Sequence, residues 1–444
     1  MYVKSVTLKN IKGFSDLHFD FQRPDPDGGY AGWTVFVGGN ASGKSTLLKA
    51  IALALMGPDA GRQLLGSTLG WIYNNEYRAE VLTEVVWSSA DESFKKRGRP
   101  PGDIFEAGIR FVVESKEATV PVVRAVEKRE NDTRIRIAER GPWDANAPGW
   151  FSMGYGPMRR LSGSSSETIG FSARGGVVSR FVTLFREDAA LSESEAWLKT
   201  NHSRWLESKK PELKQLLDGV SELLSDDLLP HGMKIKQITV DHVFIQDKRE
   251  LELPMRDISD GCRSIYAMVL DLVHGMFEIY GLEGLFGYDS KKRPVVARPG
   301  VVLIDEIEAH LHPAWQRDIP EWLKLHFPKV QFLVTTHSPL VAQAADPNGV
   351  FVLPSPSDMD REPRPLDADE LEKLRLGKAE KTLLGTAFGL KTARSHWANQ
   401  QIESWKRLNA KSKAGVKLTD VENKEYEHLR HQMALAFERE PESI

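Results

Sequence analysis

Alternation opens the chain. Val3, Val6 and Leu8, with Thr7 between them, predict a first strand, and Leu17 to Phe21 predict a second one after a turn at Gly13. Trp33 to Val37 is a short apolar run that enters a glycine-rich loop, and Leu47 to Met56 follows at helical spacing. From about Arg78 to Ile137, β-branched runs at Val81 to Trp87, Gly108 to Val113, Thr119 to Val123 and Arg134 to Ile137 alternate with polar turns. They predict an antiparallel sheet inserted after the first helix. Ser162 to Gly176, rich in Ser and Gly, reads as a loop. Phe181 to Leu224 has a helical pattern, with Trp197, Trp205, Leu213, Leu216 and Leu217 as its apolar positions. It is too short and too poor in heptads for a long coiled-coil arm.

Strands return from Lys234 to Leu253, and Arg263 to Ile279 is a strongly amphipathic helix. Val301 to Ile304 and Phe332 to Val334 read as buried strands. Past Pro365 the chain turns helical and locally basic to about Lys417, and a last helix, Thr419 to Phe437, carries both charge signs. No internal repeat interrupts this order. The pattern is that of an α/β protein.

Composition narrows the class. A 444-residue chain with 41% hydrophobic residues can bury a full core. The formal net charge is -3, with both signs spread along most of the chain, so no strong overall attraction to nucleic acid or acidic lipid follows. A single cysteine, Cys262, cannot form an internal disulfide, which fits a reducing cytosol. No apolar run approaches the ~20 residues that span a bilayer, and the N-terminus carries no apolar signal segment. A soluble cytoplasmic protein is expected.

The glycine-rich loop carries the chemistry. Gly38-Gly39-Asn40-Ala41-Ser42-Gly43-Lys44-Ser45 fits the phosphate-loop spacing, with a strand before it and a helix after it. Glycines let the backbone curl so that its N–H groups and the helix N-terminus face phosphate. In that setting Lys44 bridges the β- and γ-phosphates of ATP, Ser45 ligates Mg²⁺ and Thr46 reaches the α-phosphate. Asp305 and Glu306 end the strand Val301 to Ile304, at the carboxyl edge where open α/β sheets bind ligands. Asp305 is the expected metal partner and Glu306 the expected general base on water. His337, in Thr335-Thr336-His337-Ser338 after the next strand, is placed to meet the γ-phosphate.

Ser259-Asp260-Gly261-Cys262-Arg263, just before the amphipathic helix, resembles the signature loop of ATP-binding-cassette ATPases. Its form is that of RecF, SMC and OLD proteins rather than of transporters. The resemblance runs from the opening strands to about Val352. It implies a fold like an SMC head, with an inserted antiparallel sheet, a helical lobe and a C-terminal helical extension. It also implies a homodimer in which Ser259, Asp260 and Gly261 close on ATP held by the partner copy. The expected divisions are 1–160 and 231–355 as the two ATPase lobes, 161–230 as a helical insertion and 366–444 as the extension.

Glu308 to Gln316 and the TTHSPL segment further resemble stand-alone ATPases encoded beside a separate effector, such as those of Septu, PARIS and certain retron anti-phage systems. That implies an ATP-driven switch for a separate effector protein, a nuclease being the expected kind. A RecF-like ATPase that grips DNA and a scaffold that holds ATP without turnover are the alternatives. Where the family has a Q-loop glutamine, this chain has Tyr155-Gly156-Pro157-Met158-Arg159-Arg160, so Arg159 and Arg160 are either phosphate sensors or surface charges. The resemblance puts His310 and His312 in a dimer-contacting loop rather than at a metal. No base for a catalytic thiol accompanies Cys262.

Asp358 and Asp360 read as a solvated loop rather than a nuclease centre, and Lys95 to Arg99 as a solvated basic tip rather than a DNA contact. The basic stretch Lys373 to Lys417, with Trp397 and Trp405, suits a packed bundle or a protein partner and leaves nucleic acid open as a ligand.

Overall fold

The computed structural model describes residues 1–444 except 24–28, 74–75, 92–103, 115–119, 127–136, 145–148, 160–162, 174, 355–362, 386, 389–391, 393 and 438–444. Among the sequence expectations, Lys95 to Arg99, residues 134–136, Arg160, Asp358 and Asp360 therefore lie outside the described residues. The chain divides into two compact units, Met1–Ala379 and Glu380–Ile444.

In the first unit, β1 (Tyr2–Ile11) and β2 (Phe14–Asp20) form a hairpin, and β3 (Gly32–Val37) leads into α1 (Lys44–Leu64). The strands β4 (Arg78–Val86), β5 (Ile104–Val112) and β6 (Val122–Ala125) follow. They do not make a sheet of their own. β4 pairs with β1, giving one five-stranded antiparallel sheet in the order β2-β1-β4-β5-β6. The expected insertion is thus an extension of the N-terminal hairpin. Alternation explains the join: Val3, Val6 and Leu8 of β1 and Ala79, Val81 and Val85 of β4 are all buried, so both strands turn the same apolar face inward.

A second sheet completes the frame. It joins β7 (Ser152–Tyr155), β13 (Gly300–Ile304), β14 (Val330–Thr336), β3 and β15 (Val350–Val352) in parallel, with β16 (Arg364–Pro365) antiparallel at the edge. Both expected ATPase lobes contribute strands to it. Helix α1 packs against both sheets, which accounts for its unbroken buried run from Ala50 to Met56. The helix kinks at Gly57, whose φ is 81°, because Pro58 has no N–H to give the carbonyl of Ala54. The Trp143 indole N–H supplies that bond instead, at 2.8 Å.

Ser162 to Gly176 is not simply a loop, since α2 (Ser166–Ala173) forms within it. Ser165 Oγ accepts from the Thr168 N–H at 3.3 Å, a local cap that starts the helix, and Thr168 and Phe171 are buried. Ile137, expected to end a strand, begins a helical turn. The helices α3 (Ser192–Ser208) and α4 (Pro211–Ser225) fill the region expected to be helical, and β8 (Lys234–Ile238), β9 (Val243–Gln246) and β10 (Glu252–Pro254) make a small antiparallel sheet. Helix α5 (Asp260–Tyr280) follows, then the hairpin β11 (Phe286–Tyr288) and β12 (Pro294–Val296). Helix α6 (Pro313–His326) links β13 to β14.

The boundary of the C-terminal part falls later than 366. Helix α7 (Ala368–Leu376) belongs to the first unit, where Gln343 Nε2 donates to the carbonyls of Leu374 at 3.0 Å and Gly377 at 2.7 Å. The second unit holds α8 (His396–Lys413) and α9 (Asp420–Phe437), packed through Ile402, Trp405, Leu408, Leu429 and Met433. Among the described residues, no helix is long and apolar enough to cross a membrane.

Candidate functional site

Three loops leave the parallel sheet at one edge. Val37 pairs with Thr336 and Val334 with Ile304, so β3, β14 and β13 end together with β14 in the middle. The loop 38–46, the His337 turn and the Asp305-Glu306 pair therefore emerge side by side.

The loop 38–46 is curled by two left-handed residues, Ala41 at φ 62° and Gly43 at φ 88°. Gly43 has a second reason to be glycine: a Cβ there would come within 2.2 Å of the Phe14 ring from β2. Lys44 is only 6% exposed, and its Nζ donates to the carbonyls of Gly38 and Gly39, both at 2.9 Å. Burial lowers the pKa of Lys44, while the nearby Glu306, Asp305 and Glu308 resist that shift. The buried Ser42 hydroxyl has no hydrogen-bond partner among the described residues. A curled loop with an idle buried hydroxyl, a lysine resting on loop carbonyls and carboxylates close by is a donor set that fits a nucleotide triphosphate. The hard oxygen ligands Ser45 and Asp305 fit Mg²⁺.

The acidic pair is held by side chains from elsewhere. Thr335 Oγ1 donates to Asp305 Oδ1 at 2.5 Å and accepts from the Glu306 N–H at 2.8 Å. Glu306 sits at φ 45°, a left-handed conformation that costs a non-glycine residue about 1–2 kcal/mol. Both of its backbone polar groups are anchored, the N–H on Thr335 and the carbonyl on Arg159 Nη2 at 3.1 Å.

Arg159 is not a surface charge. It is 3% exposed, and its guanidinium donates to the carbonyls of Gly156, Asp305, Glu306 and Ile307 at 2.9–3.1 Å. Burial lowers its pKa to about 10, and Glu308, Asp305 and Glu306 oppose that shift. A fork of N–H groups engaged with four main-chain carbonyls braces the backbone around the acid pair.

Sequence reasoning gave Glu308 no role, yet it grips the histidine turn. Its Oε2 accepts from Thr336 Oγ1 at 2.7 Å and its Oε1 accepts from the His337 N–H. Gln316 steadies the same turn by accepting from Ser338 Oγ at 2.7 Å. The His337 side chain is exposed. The signal for Glu308 was a third acid two residues past the pair, on the inner side of the loop.

The signature segment lies at the N-terminus of α5. Ser259 and Asp260 are exposed, and Asp260 pairs with Arg263. A Cβ on Gly261 would come within 2.5 Å of the His310 carbonyl, so a side chain is excluded there. Among the described residues, Ser259, Asp260 and Gly261 make no hydrogen bond to residues 38–46. Ser259 Oγ instead donates to Cys262 Sγ at 2.9 Å, and burial pushes the Cys262 thiol up, toward its unreactive form. His312 Nδ1 accepts from the Ala314 N–H at 3.3 Å and caps α6.

Residues 33–342 match the family described as "AAA domain, putative AbiEii toxin, Type IV TA system". The chain is 24% identical over 359 residues to the Septu protein PtuA of Bacillus mycoides (strain KBAB4), covering 79% of this chain but 40% of that protein. It is 24% identical over 394 residues to the "Retron Vc95 probable ATPase" of Vibrio cholerae serotype O1 biovar El Tor, covering 76% and 71%. Among solved structures, an Smc head bound to the C-terminal winged-helix domain of ScpA is 16% identical with a TM-score of 0.47, covering 83% of this chain and 99% of that one. The family match spans more than half of the chain, and the chain therefore belongs to this family of AAA-type ATPases.

Proposed function

We propose that this chain hydrolyses ATP in an anti-phage system, that ATP joins two copies face to face, and that the cycle switches a separate effector protein. The observation that carries the dimer is the position of the signature segment. Ser259 and Asp260 are exposed and make no hydrogen bond to their own phosphate loop, whereas the other three motifs share one sheet edge. A helix N-terminus presenting such a loop suits an anion supplied by a second molecule.

Within each site, Lys44 exchanges the Gly38 and Gly39 carbonyls for the β- and γ-phosphates. The loop N–H groups and Thr46 hold the remaining oxygens. Ser45 and Asp305 hold Mg²⁺, which when bound neutralises phosphate charge. Glu306 accepts a proton from the attacking water, and His337 meets the γ-phosphate. The names of the Septu and retron relatives support the anti-phage setting.

The C-terminal unit supplies the dock for the effector, with a nuclease the expected kind of partner. Trp405 is 2% exposed and consumed by the hairpin's own core, whereas Trp397 is 61% exposed and remains available as an anchor. Ending the chain after Ala379 rather than near Leu366 keeps α7 in place. That truncation should retain ATP binding and lose co-purification with the effector.

Kinetics and mixing test the core of the proposal. Glu306→Gln should slow turnover by on the order of 10²-fold while keeping ATP binding. Lys44→Ala should weaken binding itself. Chains carrying Lys44→Ala, mixed with chains carrying Ser259→Arg, should regain ATPase activity through one intact composite site. Mixed dimers that form without regaining activity would rule out shared sites.

A further inference from the structure

Away from the phosphate loop, a cavity of about 250 Å³ opens between α5 and the segment 172–193. Its walls include Arg180, Thr183, Glu193, Asp271, His274 and Glu278. Arg180 is 8% exposed, and its guanidinium lies 5.7 Å from the Phe151 ring centroid. Among the described residues, neither its Nε nor its Nη1 has a hydrogen-bond partner, which leaves three N–H donors idle in the interior. Burial lowers its pKa to about 10, so the group is cationic at neutral pH.

A buried cation is ordinarily met by a carboxylate. Among the described residues, none lies within ion-pair distance of Arg180, and the acids of the cavity are otherwise disposed. Asp271 accepts from Ser194 Oγ at 2.5 Å and from the Tyr155 hydroxyl at 3.1 Å. Burial raises its pKa toward the neutral form, and it does the same to Glu193 at the rim. Glu278 pairs with His274 at 3.5 Å. Glu278 compensates the Arg180 charge only from beyond ion-pair distance, and the guanidinium keeps idle donors beside an opening of molecular size.

We propose that this cavity binds a small oxyanion, a carboxylate or a phosphate group, through the Arg180 guanidinium. A planar fork of donors matches either group geometrically. The location suits an effector site for the ATPase. Asp271 stands on the signature helix and bonds Tyr155, whose carbonyl accepts the Asp305 N–H at 2.8 Å. Asp271, on the wall of that cavity, is thus joined through Tyr155 to the backbone of the proposed metal-binding aspartate.

The test is calorimetric titration of the full chain in a Lys44→Ala background, which removes the phosphate loop as a competing anion site. Sodium acetate and sodium phosphate are the two probes. At least one should bind saturably, and Arg180→Gln should weaken that binding tenfold or more. Acetate binding identifies a carboxylate ligand class and phosphate binding a phosphate class. Glu193→Lys, at an exposed rim position, adds a cation without disturbing the interior and should tighten binding severalfold, which keeps the test decisive if Arg180→Gln fails to fold. Absence of binding by both probes would overturn the site. So would binding untouched by Arg180→Gln, or left unchanged or weakened by Glu193→Lys. Because nucleotide is absent throughout, failure here is distinguishable from failure of the ATPase proposal.

Discussion

The Glu308 carboxylate accepts the backbone N–H of His337 with one oxygen and the Thr336 hydroxyl, at 2.7 Å, with the other. Both oxygens engage the turn that carries the histidine, so Glu308 fixes where the His337 backbone stands. Glu308→Ala removes both acceptors and leaves the His337 N–H and the Thr336 hydroxyl without this support. Turnover should fall by about tenfold or more while KM for ATP stays within about threefold, the pattern of a group that acts after binding. A kcat within twofold of the parent would remove Glu308 from the histidine's support.

Thr335 plays the matching part for the acids, donating to Asp305 and accepting from the Glu306 N–H. Thr335→Val conserves shape and deletes both bonds in a fully buried position. Stability should drop by about 1–3 kcal/mol, as expected when buried partners are left unsatisfied, and ATPase activity should fall with it. Thr335→Ser retains the hydroxyl and should lose much less of both. Equal losses in the two variants, measured by urea unfolding and steady-state ATPase assays, would show that the methyl group matters rather than the bonds.

Arg159 should behave as a structural clamp. Removing it with Arg159→Ala strips donors from four carbonyls around the acid pair and leaves Glu306 in a left-handed conformation with one anchor fewer. The expected cost is about 3 kcal/mol, at the upper end for single substitutions. Arg159→Lys, whose ammonium cannot span the same fork, should recover only part of it. Thermal unfolding with and without ATP checks this: a clamp lowers Tm in both conditions, whereas a phosphate sensor lowers only the increment that ATP adds.

The nucleotide loops were legible because their chemistry restricts residue type. A loop that bares N–H groups needs Gly43, a phosphate needs Lys44, and an acid pair at a sheet edge needs an apolar strand before it. Arg159 gave no such signal, since its partners are main-chain carbonyls that any sequence supplies. Strand β7 escaped notice for another reason: it has four residues, all buried, and Ser152 and Gly154 break the apolar run. The antiparallel strands were found, but their union with the N-terminal hairpin was not, because pairing partners far apart in sequence leave no local trace. Trp397 and Trp405 looked equivalent, yet eight residues turn a helix by about 80° past two full turns, enough to bury one ring and expose the other.

The C-terminal hairpin carries its own pH dependence. Thr419 and Glu422 cap α9 reciprocally: the Glu422 N–H donates to Thr419 Oγ1 at 3.2 Å, and the Thr419 N–H donates to Glu422 Oε2 at 3.0 Å. Lys411 on α8 adds an ion pair to Glu422 Oε1 at 2.7 Å. The Lys411 ammonium, followed by the Thr419 N–H, holds the Glu422 carboxyl down at about 2, against an ordinary 4.5. A carboxylate depressed in the folded state contributes stability that is complete above its unfolded pKa and lost as pH falls through its folded one. The window for this hairpin is therefore pH 4.5 down to about 2. Hydrogen exchange resolved to α8 and α9, corrected for intrinsic rate, should show protection falling across that window in the parent. Glu422→Gln and Lys411→Met should both start with less protection at neutral pH and change less on acidification. Parallel pH profiles in parent and variants would mean that the Lys411–Glu422 pair does not hold the two helices together.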